Sequence, residues 1–555
     1  MRLRDSVLLG CLLLVAMSTC LAATDGIALS VARGAGVDEI NLEWTGNQPT
    51  FQVYRSTAAA SVTDPANLLV ETGSRTLVDS PPPGDLFFYV ILRKPDPPAT
   101  MVDGAADRLL LAGTVVGPAG PFEGEVLVEG NLITCAAASC SGLPGAAGAT
   151  VIQTTGIILP GLIDAHNHGL FNIFDESDWT PLHLYGNHNQ WTAETRYQEM
   201  LDAKQYLNGE GSSPVDIGCE MDKYAEVKAL IAGTTSFLLA PGLSRSCYAS
   251  LVRTIDTAQN DLGADKIQTS VSVPSNSTAQ SVCNNFASGT TDAYVVHVAE
   301  GVDQTALNEF ATLASRAGGC LLSPKTTIVH GTALGSAEFA TMAAHDMKLV
   351  WSPKCNLFQY GATARIDLAI AAGVSTIALA PDWSLGGSIN LLDELRFADQ
   401  VDGATFGDIL SPERLFRMVT IDAARALALD GILGSLEVGK RADIAVIGGY
   451  RPDPYNALLL ATPVSVRLVM VDGRVLYGDG QLVASGPDVP GCETVTLCGS
   501  NKFLCVAESS TANKLNQTYQ EILQVLVNEL ASYDALVAPS AVRAFSPIAP
   551  ITGCQ

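Results

Sequence analysis

Between residues 158 and 430 the chain alternates apolar, β-favouring runs with helical stretches, and four of the runs end in a histidine or an acid. Strands are expected at 157–163, 234–240, 267–273, 293–298, 327–330, 348–351 and 376–380, and helices at 224–231, 306–315, 336–344 and 364–372. An eighth, short strand is expected between Ser275 and Asp292. Such alternation over about 250 residues has the size of a (β/α)8 TIM-like barrel, whose C-terminal strand ends all meet at one mouth. A doubly wound sheet is the architectural alternative, but no glycine-rich dinucleotide loop supports it.

The first run, Gly156 to Leu162, leads into Asp164-Ala165-His166-Asn167-His168. Side chains alternate along an extended chain, so His166 and His168 emerge on one face, as half of a tetrahedral metal site would. The chain holds only seven histidines, and two more close later strands. Tyr294-Val295-Val296-His297-Val298-Ala299-Glu300 ends in a histidine and then a carboxylate, and Thr327-Ile328-Val329-His330 repeats the histidine. Ile377-Ala378-Leu379-Ala380-Pro381-Asp382 ends in an aspartate. A single histidine at a strand end is more often a packing residue. Four strand ends of one barrel carrying such groups point instead to a shared site.

The flanking segments are all-β. Short strands are expected in 107–157 and again in 431–485, a composite β-sandwich built from both sides of the barrel segment (158–430). Residues 24–94 form a separate small β module, with Ile40, Leu42 and Trp44 alternating, a strand through Phe51 to Tyr54, and a turn at Ser80-Pro81-Pro82-Pro83-Gly84-Asp85. Leu42-Glu43-Trp44, Val53-Tyr54-Arg55-Ser56 and Phe88-Tyr89-Val90 make this module resemble a fibronectin type III domain. Residues 95–106 read as a linker and 486–555 as a cysteine-containing tail with a helix.

Met1-Arg2-Leu3-Arg4, the apolar Val7 to Ala16 and the small residues up to Ala23 have the pattern of a secretory signal occupying 1–23, with a lipid-anchored Cys20 as the less favoured alternative. The rest of the chain has no transmembrane run. Export would remove Cys11 and Cys20 with the signal and leave eleven of the thirteen cysteines, an odd count, in an oxidising compartment. Cys135 with Cys140, Cys219 with Cys247 and Cys283 with Cys320 are candidate pairs, Cys492, Cys498, Cys505 and Cys554 sit in the tail, and Cys355 is left as the free thiol. The net charge of −25, without a basic stripe interleaved with aromatics, argues against nucleic acid as a partner.

The motif order from Pro160-Gly161-Leu162-Ile163-Asp164-Ala165-His166-Asn167-His168 through His297-Val298-Ala299-Glu300 and Val329-His330-Gly331 to Asp382 resembles the amidohydrolase superfamily, nearest its mononuclear deaminase and chlorohydrolase branch. Ser352-Pro353-Lys354-Cys355-Asn356, the stretch 434–447 and Val471-Asp472-Gly473 extend the resemblance over roughly 107–480. It implies a barrel with a composite sandwich and one divalent metal ion, zinc or, alternatively, iron, bound by His166, His168, His297 and Asp382. It also implies that Asp382 takes a proton from the attacking water, that Glu300 carries a proton to the substrate nitrogen, and that His330 orients the nucleophile or stabilises the oxyanion. Such an ion brings a bound water towards a pKa of about 7. A binuclear relative would need a carbamylated lysine in mid-barrel, whereas Lys266 precedes its strand. Cys355 stands where relatives commonly carry serine, which would alter the pocket or expose a reactive thiol. Trp191, His183 and His188, on the long segment after the first strand, are candidates to line the substrate pocket, and His345 is expected on the surface.

The reading is an exported metal-dependent hydrolase of carbon–nitrogen bonds acting on a cyclic amidine or amide small molecule. The alternatives are displacement of an amine or halide from a heteroaromatic ring at the same site, or a non-catalytic exported binding protein working through the N-terminal module. A homo-oligomer and a polymer contact through that module are left open.

Overall fold

The computed structural model describes residues 22–553 except 25–26, 34–38, 46–49, 59–60, 82–86, 95, 241–244, 259–261, 264, 488–491, 508–515 and 539–542. Most of the expected signal segment with Cys11 and Cys20, most of the turn after Ser80, and Cys554 lie outside the described residues.

The N-terminal module is two facing sheets. Ala22–Thr24, Ile27–Arg33, Ile40–Trp44 and Thr76–Asp79 pair in that order, and Leu68–Thr72, Phe51–Ser56 and Phe88–Arg93 form the second sheet. The period-two pattern explains the core: Leu42 and Trp44 point inward, and the Trp44 ring meets Phe51 edge-on at 5.8 Å beside Val53 and Ile91. Leu460 enters the same core, and Asn456 Nδ2 donates to Gly73 O at 3.1 Å, so the module rests against the helix Pro454–Leu459. A cleft of about 570 Å³, lined by Glu71, Lys94, Glu123, Tyr450 and Arg451, separates the module from the next sheet and contains none of the strand-end residues.

That next sheet has ten strands and joins both flanks of the barrel, nine of them in one path with Thr100–Val102 paired beside it. Its two halves meet where Ala149–Pro160 pairs antiparallel with Ile444–Ile447, Ile157 opposite Ile447 and Pro160 opposite Ile444. The sheet begins at Thr100–Val102, inside the stretch expected as linker, and continues through Cys492–Leu497 and Ser500–Cys505, inside the expected tail. The tail helix is Tyr519–Val537.

Eight parallel strands make the barrel: β1 (Leu162–Asp164), β2 (Thr234–Phe237), β3 (Arg253–Thr254), β4 (Ile267–Ser270), β5 (Ala293–Val298), β6 (Thr326–His330), β7 (Lys348–Trp351) and β8 (Ile377–Leu379). The eighth strand is not where it was expected. The stretch between Ser275 and Asp292 is the helix Asn276–Ser288, started by Ser275 accepting from Thr278 N and stopped by Gly289 at φ +73°. The additional strand is β3, a polar two-residue segment too short to show periodicity. Ile163, Ile255, Val295, Val329, Val350 and Ala378 fill the interior, and Ala423, Ala424 and Leu427 from the helix Ile421–Ala426 and its end pack against them. On β5, His297 continues the side on which Ala293 and Val295 join that core.

Cys135–Cys140, Cys219–Cys247, Cys283–Cys320 and Cys492–Cys505 are bonded, Cys498 is also in a disulfide, and Cys355 is a buried free thiol. His345 ends the helix Ser336–Ala344 and is exposed, as expected. Among the described residues no helix is long and apolar enough to cross a membrane.

The passage from sheet to barrel runs through Gly161, whose N donates to Asp443 O at 2.8 Å. A Cβ at this position would lie 2.8 Å from Thr235 Cβ and closer still to its branch atoms, on the neighbouring strand β2. Gly161→Ala is therefore expected to push β1 away from β2, at a cost of about 1–3 kcal/mol. Thermal unfolding checks this, and a melting temperature equal to that of the parent would refute it.

Candidate metal centre

The strand ends deliver their groups to one mouth. His166 and His168 follow β1, His297 lies near the end of β5 with Glu300 after it, His330 ends β6 and Asp382 follows β8. The backbone bends sharply there: Ala299, His330 and Asp382 have φ of +59°, +69° and +72°, a region that non-glycine residues rarely occupy and that clusters at functional sites. The first and last strands are tied at this level, with Asn167 bridging Asp382, His168 N donating to Asp382 O at 2.7 Å and Asp382 N to His166 O at 3.2 Å.

The potential ligand atoms converge. His166, His168 and His297 offer nitrogens all within 4.8 Å of one another, and His166, His330 and Asp382 form an overlapping set. His166 Nε2 lies 2.9 Å from Asp382 Oδ1, and His168 Nε2 lies 3.4 Å from the same oxygen. His297 is oriented from behind, its Nδ1 3.1 Å from Ser270 O. The turn carrying the first pair is held by a buried polar belt. Asp164 accepts from His166 N and from Asn167 Nδ2, Asn172 Nδ2 donates to Asn167 Oδ1, and Ser384 N donates to Asn172 Oδ1. Burial pushes Asp164 up to about 8, although its two donors pull the other way.

Burial also pushes His166 down to about 3 and His168 to about 4, and holds His297 and His330 well below the usual imidazole range. The rings are therefore neutral at pH 7, the state in which an imidazole can bind a cation. His166 is fully buried, yet its Nδ1 has no hydrogen-bond partner. The two overlapping sets, three neutral imidazoles in one and two imidazoles with a carboxylate in the other, offer the donor types that a divalent ion of the zinc type takes. Lys266 lies just before β4, with its Nζ 3.0 Å from Asp292 Oδ2.

Beside the cluster, Glu300 is only 4% exposed. Tyr360 OH donates to its Oε1 at 2.6 Å, while its Oε2 lies 3.5 Å from His188 Nδ1 and 3.7 Å from His330 Nε2. Burial raises Glu300 to about 7, against the opposing pull of His188 and Tyr360. Asn356 Nδ2 donates to His330 Nδ1 at 3.0 Å, which leaves the proton of the neutral ring on Nε2, facing Glu300.

An aromatic wall stands over these groups. Trp191 lies 4.9 Å from Tyr197 and 5.7 Å from Trp383, Trp179 lies 6.0 Å from Trp383, and Trp383 lies 5.9 Å from His168, all between ring centroids. Trp191 Nε1 donates to Tyr360 OH at 2.7 Å, linking the wall to Glu300. Of the three loop residues considered from sequence, Trp191 and His188 reach the site, whereas His183 is exposed against Tyr185, 4.2 Å between ring centroids. Sequence reasoning missed the roles of Tyr360 and Asn356. Their signal was spacing: four residues apart on the helix Pro353–Tyr360, they share one face. The expectation of a reactive Cys355 is corrected. Burial, with Asp382 beside it, pushes the thiol well up, so it stays protonated and inert.

The Amidohydrolase family profile matches residues 255–476. The chain is 25% identical over 411 residues to a 5′-deoxyadenosine deaminase of Methanothermobacter thermautotrophicus, covering 68% of this chain and 94% of the relative. It is 30% identical over 177 residues to a 5-methylthioadenosine/S-adenosylhomocysteine deaminase of Caldanaerobacter subterraneus subsp. tengcongensis, an alignment covering 27% of this chain and 41% of that protein. Its fold is similar to that of a zinc-complexed atrazine chlorohydrolase from Arthrobacter aurescens, with a TM-score of 0.51 at 18% identity, covering 69% of this chain and 96% of the other. The profile and the relatives agree with the strand-end cluster: the chain is a metal-dependent hydrolase acting on carbon–nitrogen bonds, similar to the deaminases and triazine hydrolases of the amidohydrolase superfamily.

Proposed function

We propose that the chain removes an amino group hydrolytically from the ring carbon of a cyclic amidine within a planar nitrogen heterocycle, using one zinc ion. His166, His168, His297 and Asp382 would hold the ion. When bound, it would bring a water towards a pKa of about 7 and so supply the nucleophile. The observation that carries the reading is Glu300, a buried carboxyl beside the histidine cluster that holds its proton close to neutrality. Such a group can pass a proton to a ring nitrogen as the carbon becomes tetrahedral. Asp382 takes the proton released by the attacking water and delivers it to the exocyclic nitrogen, so that the carbon–nitrogen bond breaks, ammonia leaves and the remaining hydroxyl proton restores Glu300. His330 donates from Nε2 to the oxygen forming on that carbon. The rings of Trp191, Tyr197 and Trp383 offer apolar faces against which a flat heterocycle packs. The activities of the deaminase relatives make aminopurine nucleosides the first compounds to assay, followed by aminopyrimidines, triazines and cyclic amides.

We also read the chain as exported, which its described disulfides support. The N-terminal module we read as fibronectin type III-like, on its strand motifs and its four-plus-three arrangement of strands.

His297→Ala should lower bound zinc well below one equivalent, as measured by elemental analysis, and abolish ammonia release. Full activity after exhaustive chelation of the parent would overturn the metal assignment. Glu300→Gln should keep the metal but lose about 10²–10⁴-fold in kcat. A loss expressed only in KM would remove Glu300 from the proton-carrying role.

A further inference from the structure

The segment that covers the mouth is stitched to the turn that carries Glu300. Asn187 bridges Gly301, His188 N donates to Glu300 O at 3.2 Å, Val302 N donates to Gly186 O at 2.7 Å, and Asn187 Nδ2 donates to Asp303 Oδ2 at 2.6 Å. The approach is so close that a Cβ at Gly301, itself at φ +139°, would lie 2.6 Å from Asn187 Cα. This contact fixes the imidazole of His188 between two carboxyl groups. Nδ1 is 3.5 Å from Glu300 Oε2, and Nε2 is 2.7 Å from Glu309 Oε1. Glu309 is held in turn, its other oxygen accepting Ala299 N at 2.8 Å.

Glu300 and Glu309 are the charged groups that face His188 from the packed elements. Asp303, on the same turn, is engaged by Asn187 and by Ala306 N. Burial would discharge the imidazole, but the two carboxyl groups outweigh it and raise the proton affinity of His188. For Glu300 the balance has the opposite sign. Burial favours the neutral acid, Asp382 and Glu309 push the same way, and His188 is the cationic neighbour that opposes them. A carboxyl that passes a proton in every turnover has to exist in both states, and a protonated His188 adds its charge to that of a bound ion in favouring the ionised one.

We propose that His188, clamped by Glu309, is a positioning residue for Glu300, aiming its carboxyl at the reacting centre and adding positive charge beside it that favours release of its proton. The proposal rests on the reading of Glu300 as the proton carrier.

The test is infrared titration of the full-length, zinc-loaded protein. The carbonyl band of protonated Glu300 is identified by its loss in Glu300→Gln and followed against pH. In His188→Gln its midpoint should move to higher pH by about one pH unit or more. His188→Lys, which keeps a cation there, should hold it near the parent value, and adding Glu309→Gln to His188→Gln should bring it back down, because Glu309 itself pushes Glu300 towards the neutral acid. His188→Asn, a second neutral replacement, decides the matter if His188→Gln folds poorly. An unmoved midpoint in folded, zinc-loaded His188→Gln or His188→Asn overturns the proposal. With a substrate in hand, the limb of the kcat/KM profile that reports Glu300 should move with the infrared midpoint, and a rise in KM with that limb unmoved would overturn the proposal by making His188 a substrate contact. Because the infrared band is read without substrate, failure to find any deaminated compound counts against the proposed function and leaves this titration decisive for His188.

Discussion

The site depends on the closure of the barrel. His166 and Asp382 are separated by 216 residues, yet the Asn167–Asp382 bridge and its two flanking hydrogen bonds make them neighbours. That closure joins β1 to β8, and the parallel ladder from β4 to β8 brings His297 and His330 to the same level. The backbone hydrogen bonds of closure and the side chains of the site use the same residues, so a change in register at either end would dismantle the cluster as well as the wall.

Closure alone would bury a group of polar side chains at considerable cost, because unpartnered polar groups in a dry interior are unfavourable. The surrounding structure meets most of that cost. Asp164, Asn167, Asn172 and Ser384 form a chain of donors and acceptors beneath the first histidine pair, while Ser270 O and Asn356 serve His297 and His330. These partners set the orientation of each ring. The imidazoles are neutral, and the buried Nδ1 of His166 has no hydrogen-bond partner, which suits a cation. The centre is accordingly built for an ion rather than for its own packing.

The metal-ligand candidates were legible in the sequence because each sits at the end of an apolar run, and period two forces His166 and His168 onto one face. Disulfide partners within short or single-helix separations were legible for the same local reason, and Cys355 stood out by elimination. What stayed hidden was what only tertiary contact decides. β3 is two polar residues recognised solely by its pairing with β2. Thr100–Val102 and Cys492–Cys505 are too brief or too far along the chain to announce that they extend the sheet. Tyr360 and Asn356 sit on a helix whose apolar pattern is weak, because its buried face is turned to a polar site instead of a core.

The covering segment shows how this barrel joins recognition to proton handling. One four-residue helix, His188–Trp191, carries both the imidazole beside Glu300 and the indole that reaches it through Tyr360. A substrate pressing on the Trp191 face therefore acts on the hydrogen bond to Glu300 Oε1, while the charge at Glu300 Oε2 comes from the other end of the same turn. Two oxygens of one carboxyl are governed by one short piece of backbone, and that backbone is anchored to Gly301 and Asp303 rather than to the barrel strands. Displacement of the segment would thus loosen the aromatic wall and alter the proton affinity of Glu300 together, so that in the proposed reaction the carboxyl is tuned for proton transfer when the mouth is covered.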